Sequence, residues 1–167
     1  MRNNFSPQGL ILRRPEEIEA LLRGNGIQFD LIRTKPVYTC REAAAARHVP
    51  LHHELKTLLV IYRNALALLN LPGDRRIDRK FVRTALAAHE FRLANVYEIA
   101  SLRLSRGIIS PLSLVGCRSL VDIEVLELEW VTTNAGSLTV GIRLEVDALF
   151  RMCELEIASL AAVPGDP

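Results

Sequence analysis

Two nearly unbroken apolar runs, Leu58–Tyr62 and Ala65–Leu69, stand on either side of the dipeptide Arg63-Asn64. Each is too short for a self-buried helix, and neither alternates. Every side chain in them therefore needs apolar cover whichever way it points. Such runs read as strands covered on both faces. The two-residue separation joins them as a hairpin, with Asn64 suited to a left-handed turn conformation. A chain built around that hairpin must place further structure on both sides of its sheet. With 167 residues, 49% of them apolar, it has material for one such core and is expected to form a single domain.

The flanking segments supply the layers. Pro15 sits at a first helical position, and Glu16 and Glu17 place negative charge at the helix start. Ile18, Leu21 and Leu22 form one apolar stripe before Gly24-Asn25-Gly26 ends the helix. Ile27–Leu31 alternates as a half-buried strand. Thr39-Cys40-Arg41-Glu42 is a capping box that opens a short alanine helix able to lie close to a sheet. After the Pro72-Gly73-Asp74 loop, Asp78 caps a helix with Phe81, Val82, Ala85 and Leu86 on its apolar side. A short strand at 91–93 and a second capping box at Asn95–Glu98 follow. Val121–Val125 alternates as a strand, and Trp130–Thr133 pairs with Leu138–Leu144 around Asn134-Ala135-Gly136. A helix at 146–152 and a strand at 154–157 close the pattern. Interleaved helices and strands with two hairpins predict an α+β (mixed α/β) domain over 1–167, its central mixed sheet flanked by helices. Residues 1–13 and 162–167 read as loosely held ends.

Composition removes several functions. Twenty-one Lys and Arg against 19 Asp and Glu leave a net charge of +2, so any polyanion must meet a local patch. No apolar run approaches the length of a membrane span, and Leu10-Ile11-Leu12 is too short for a secretion signal, which makes the cytoplasm the expected location. Cys40, Cys117 and Cys153 form no C-x-x-C pair, and the adjacent His52 and His53 diverge on any regular element. Neither a metal nor a cofactor is expected. The nucleotide-binding, nucleophile-elbow and zinc-protease motifs are all missing.

Three features carry chemistry, and each has two readings. Lys56 enters an otherwise apolar strand, either as an edge lysine reaching for water or as a cation fixed at a pocket mouth. Gly107-Ile108-Ile109-Ser110-Pro111 cannot be regular throughout; it either shapes a turn or presents bare main chain to a small ligand. Arg75, Arg76, Arg79, Lys80 and Arg83 are either a solvated helix face or phosphate contacts. His52 and His53 read as ordinary loop residues.

Taken in order, these pieces resemble the aminoacyl-tRNA deacylases of the YbaK and prolyl-tRNA synthetase editing-domain family. The resemblance runs from about Pro15 to Ile157 and rests on Thr39–Ala44, Leu55-Lys56-Thr57-Leu58, Leu71–Asp78, Phe91–Ala94, the Gly107–Pro111 G-x-x-x-P loop and Asn134-Ala135-Gly136. It departs at Ile108, where relatives often have a second glycine, and at Leu112-Ser113, where they often have Phe-Gly. The resemblance implies a curved central sheet and hydrolysis of a mischarged tRNA ester at the 3′ acceptor end, without a cofactor. The amino acid would be small and the carrier tRNA-Pro or a related tRNA, with a synthetase as a further partner. It casts Lys56 as the catalytic cation and the main chain of Gly107, Ile108 and Ile109, with Ser110 and Pro111, as the substrate-binding loop. Arg75, Arg76, Arg79 and Lys80 would contact the tRNA. No side chain in either motif is a general base, so water positioned by the substrate's own ribose hydroxyl is the implied nucleophile. The alternative is an inactive module of the same fold that binds a tRNA end or a synthetase.

Overall fold

The central hairpin governs the architecture. In the computed structural model, which describes residues 9–162, β3 (Leu55–Tyr62) and β4 (Ala65–Pro72) pair antiparallel in full register from Leu55↔Pro72 to Tyr62↔Ala65. Arg63 and Asn64 both adopt positive φ, 46° and 61°, the turn whose twist matches that of a two-residue hairpin. β4 then pairs parallel with β7 (Arg118–Asp122), and β7 parallel with β10 (Glu156–Ala158). β5 (Arg92–Leu93) adds to the other edge of β3, giving a mixed sheet of order β10-β7-β4-β3-β5. A second, antiparallel sheet has the order β2-β9-β8, from Phe29–Arg33, Val140–Glu145 and Trp130–Asn134. A short pair joins β1 (Ile11–Leu12) to β6 (Leu114–Val115).

Three apolar clusters fill the spaces. One lies between α1 (Pro15–Gly24), the second sheet and α5 (Val146–Met152), and includes Ile18, Leu22, Ile142 and Leu149. A second packs Leu59, Ile61 and Leu68 under α4 (Val96–Ser101) and the Gly107 loop. The third packs the opposite face, with Val60 and Leu69, against α3 (Arg79–Ala85). The hairpin is thus covered on both faces, as its unbroken apolar runs require. α2 (Cys40–Arg47) has the predicted capping box, with Thr39 Oγ1 accepting from the Glu42 N–H at 3.1 Å. Among the described residues no helix is long and apolar enough to cross a membrane.

Several boundaries differ from the sequence reading. The described part of the expected N-terminal arm is not loose, because Ile11–Leu12 is paired and the Arg13 N–H donates to Ser113 O at 2.8 Å. Residues 1–8 and 163–167 of the expected loose ends lie outside the described residues. The strand expected at 27–31 is Phe29–Arg33, since the Ile27 N–H still closes α1 on Leu22 O. The strand expected at 121–125 ends at Asp122, whose carboxylate accepts from the Glu124 N–H and starts a 3-10 turn, Ile123–Glu127. Phe81 is 37% exposed rather than buried; Val82 and Leu86 carry the packing of α3.

Candidate functional site

β3 leads into the site. β5 stops at Leu93, opposite Val60, so the first half of β3 runs beside a cavity of about 330 Å³ instead of a neighbouring strand. Its lining includes Val37, Cys40 and Ala43 from the start of α2, Leu55–Leu59 from β3, Ile99 from α4, and Arg106, Gly107 and Ile109. Tyr38 and Leu93, 63% and 50% exposed, stand at its rim.

Lys56 and the Gly107 loop, about fifty residues apart, therefore share one cavity. Lys56 is half-buried, and its ammonium donates to the carbonyls of Gly73 (3.4 Å) and Arg75. Burial is the main cause of its lowered pKa; the nearby Arg76 pushes the same way, while Cys40 and Asp74 oppose it. With two donors held by carbonyls, this cation has a set direction and a third donor to offer. Its carbonyl cradle needs Gly73, where a Cβ would stand 2.7 Å from Leu51 O and 2.9 Å from Glu54 O.

The loop itself is only partly the naked main chain expected. Gly107 has φ +87°, and a Cβ there would lie 3.1 Å from Leu138, so glycine is required. Gly107 and Ile109 line the cavity. Among the described residues, the Gly107 N–H and C=O and the Ile109 N–H carry no hydrogen bond. Ile108, Ser110 and Pro111 are not among the residues that line the cavity. The Ile108 side chain packs into the second apolar cluster, and its carbonyl accepts from Ser113 Oγ at 2.9 Å. Ser110 is fully buried in reciprocal bonds with Ser113 (2.8 and 3.1 Å). Pro111 is buried, with its carbonyl taking the Cys153 thiol. Asn134 braces the loop from β8, its amide donating to Ile109 O at 2.8 Å.

In the cavity wall, Arg47 at the end of α2 meets Glu54 at 2.5 Å, and Glu54 also accepts from Thr132 Oγ1 at 2.5 Å. Both side chains of the ion pair are almost wholly buried. Burial raises the Glu54 pKa, while Arg47 and Thr132 oppose the shift. The sequence reading missed this pair, as it missed Cys40, Thr57 and Arg106. The wall position of Cys40 was foreshadowed only by the Thr39–Glu42 capping box.

The basic group separates into two kinds. Arg75 is paired with Asp74 (3.1 Å) and Glu124 (2.6 Å), and Arg79 donates to Phe91 O and lies over the Phe91 ring. Both have partners within the fold. Arg76 and Lys80 are exposed and, among the described residues, make no ion pair. His52 pairs with Asp74 at 2.8 Å and His53 stacks on Trp130, so neither enters the cavity. Among the described residues no cluster of His, Cys, Asp or Glu is placed to hold a metal ion.

The cavity is thus small and mainly apolar, with a half-buried lysine on one wall and exposed main chain on another. This chain belongs to the aminoacyl-tRNA editing domain family, the YbaK family, whose match covers residues 34–152. Solved structures share the fold. A hypothetical protein aligns over 87% of this chain and 99% of its own, with TM-score 0.78 and 22% identity. A protein proposed as a trans-editing enzyme for prolyl-tRNA synthetase aligns over 89% and 97%, with TM-score 0.78 and 18% identity. A proposed signal-transduction protein from Marinobacter aquaeolei VT8 aligns over 87% of this chain but 30% of its own, with TM-score 0.63 and 14% identity. No curated protein matches the sequence.

Proposed function

We propose that this protein is a trans-acting deacylase that hydrolyses the ester of a mischarged tRNA carrying a small amino acid, on tRNA-Pro or a related tRNA. A synthetase gains only about 1–3 kcal/mol from one methylene in its own pocket, so small apolar amino acids escape its first selection. A second hydrolytic site is the remedy, and this cavity has suitable dimensions and lining for one. The observation that carries the reading is the shared cavity of Lys56 and Gly107.

In this reading Lys56 holds the terminal phosphate or ribose and stabilises charge on the ester oxygen. The free main-chain groups of Gly107 and Ile109 face the aminoacyl end, while the exposed Tyr38 ring at the rim receives the terminal adenine. Water placed against the ester by the substrate's ribose hydroxyl attacks, because the cavity offers no free carboxylate or imidazole as base: its one carboxylate, Glu54, is engaged by Arg47 and Thr132. The branched side chain of Ile108, which in place of a loop glycine would narrow the pocket, points into the core instead. Ser113, in place of the relatives' glycine, braces the loop. These placements favour a working hydrolase over a binding module.

The test is a panel of aminoacyl-tRNAs scored for release of the amino acid. The protein should cleave one or a few small amino acid esters. Lys56→Ala should lower kcat/KM about a hundredfold or more, the scale expected when one electrostatic donor to the transition state is removed. A protein that leaves every ester intact, or protects it, is a binding module. A Lys56→Ala variant at full rate removes the proposed role of the lysine.

A further inference from the structure

The floor of the cavity is a gap in β-sheet pairing. β3 is paired with β4 along its whole length, but its other edge is covered only at the ends. Near its start Glu54 bridges Thr132, and at its far end β5 pairs with Val60 and Ile61, with the Ala94 N–H donating to Leu59 O at 2.9 Å. In an antiparallel ladder, alternate residues turn both main-chain groups to the same side. Leu59 faces β5, so Thr57, two residues earlier, turns its N–H and C=O away from β4 as well. Pro72 agrees with this phase: it stands opposite Leu55 and has no N–H to exchange.

Thr57 lines the cavity, and among the described residues no hydrogen bond outside the β3–β4 ladder engages its N–H or C=O. The residue is nevertheless held firmly. Its Oγ1 donates to Asn70 Oδ1 at 2.8 Å, and the fully buried Asn70 spends its amide on Ser119 Oγ (2.9 Å) and Leu120 O (2.8 Å). Here a strand edge one residue long is open, preorganised and enclosed by a cavity.

We propose that Thr57 reads the aminoacyl group of the substrate through its main chain, as a missing strand neighbour would be read. Its C=O accepts from the free α-ammonium, and its N–H donates to the ester carbonyl oxygen. The inference rests on the deacylase reading and deepens it. An α-amino ester carries its donor and carbonyl at the spacing of one peptide residue, so it completes the pair whatever its side chain. The N–H bond strengthens as the carbonyl oxygen gains negative charge in the tetrahedral intermediate. In the reaction, water oxygen bonds to the carbonyl carbon and the carbon–ribose oxygen bond breaks. The ribose oxygen leaves with a proton from the attacking water, releasing the free amino acid and the tRNA hydroxyl. A substrate whose amino group is replaced by hydrogen loses its donor and with it half of the pair.

Single-turnover hydrolysis tests this with the best ester of the panel, its des-amino derivative and one variant. Thr57→Pro removes the N–H, and the fold tolerates it because that group faces away from β4 and Lys56 is already extended. It should lose about a hundredfold or more in rate with little change in KM for the tRNA. Wild-type protein, whose folding is not at issue, should lose a similar factor on the des-amino substrate. Full-rate cleavage by Thr57→Pro, or equal cleavage of the amino and des-amino esters by wild type, overturns the inference and leaves the deacylase reading standing. Wild-type protein that cleaves no ester overturns that reading instead, and this inference with it.

Discussion

Cys40 shows how one residue reports on the cavity. It lies in the wall, with its thiol pushed up to about 11 by burial first and by the carboxylate of Glu54 second; Lys56 and Arg47 pull the other way. A raised thiol pKa means less thiolate at any given pH. At pH 8, three units below, about one molecule in a thousand carries the reactive form. Alkylation of Cys40 by iodoacetamide should therefore be slow at pH 8 and rise about tenfold per pH unit until near pH 11. A non-hydrolysable 3′-alanylamino-adenosine should slow it further by filling the cavity. Cys117, raised to about 11 by burial in the second apolar cluster, does not line the cavity and should show no such protection. Mass spectrometry of the labelled peptides resolves the two sites. Rapid labelling of Cys40 at pH 8, or labelling indifferent to the analogue, would remove it from the wall.

Among the elements, α2 is held to the sheets by charge as much as by alanine. Ala43 and Ala44 pack in, but Arg47 reaches Glu54 at the start of β3 and presses against β9, where a Cβ on Gly141 would stand 2.4 Å from its Nε. Glu54→Ala leaves a buried guanidinium without its partner and should cost about 3–5 kcal/mol. The triple replacement Arg47→Met, Glu54→Leu, Thr132→Val removes every member of the network and should recover most of that loss, read from urea midpoints. If the single and triple variants are equally unstable, shape rather than charge holds α2. None of this was legible in the sequence, where Arg47 is one basic residue ending a helix. The hairpin, the three helices capped by Thr39, Asp78 and Asn95, and the second hairpin were legible because local patterns specify them. The misplaced ends of β2 and β7 depend on distant partners, such as the Asp122 carboxylate that accepts from the Leu160 and Ala161 N–H groups. The site divides the same way. Lys56 and Gly107 stand out as a cation in an apolar strand and a glycine before a proline. The opening at Thr57 exists only because β5 stops short, which no local pattern records.

Across the whole molecule, a net charge of +2 leaves little long-range attraction, so a nucleic acid must find a particular face. Arg75 and Arg79 are withdrawn into internal pairings. Arg76, Lys80 and Arg83 remain exposed at spacings of four and three, on and just before α3. Arg76 lies close enough to Lys56 to push its pKa down, so this basic stripe starts near that lysine. A single-stranded acceptor end with its last nucleotide in the cavity would lay its next phosphates along it. Replacing Arg76 and Lys80 with Glu should raise KM for the intact aminoacyl-tRNA and leave hydrolysis of the matching aminoacyl-adenosine unchanged. The slope of log affinity against log salt should flatten by about 0.7 for each phosphate that is no longer neutralised. Arg79→Ala should instead lower thermal stability, because it removes the hydrogen bond and ring stacking at Phe91, while leaving the salt slope alone. If the Arg76 and Lys80 variant slows tRNA and aminoacyl-adenosine equally, these residues serve the cavity rather than the tRNA. An unchanged salt slope would place the acceptor strand on a different face.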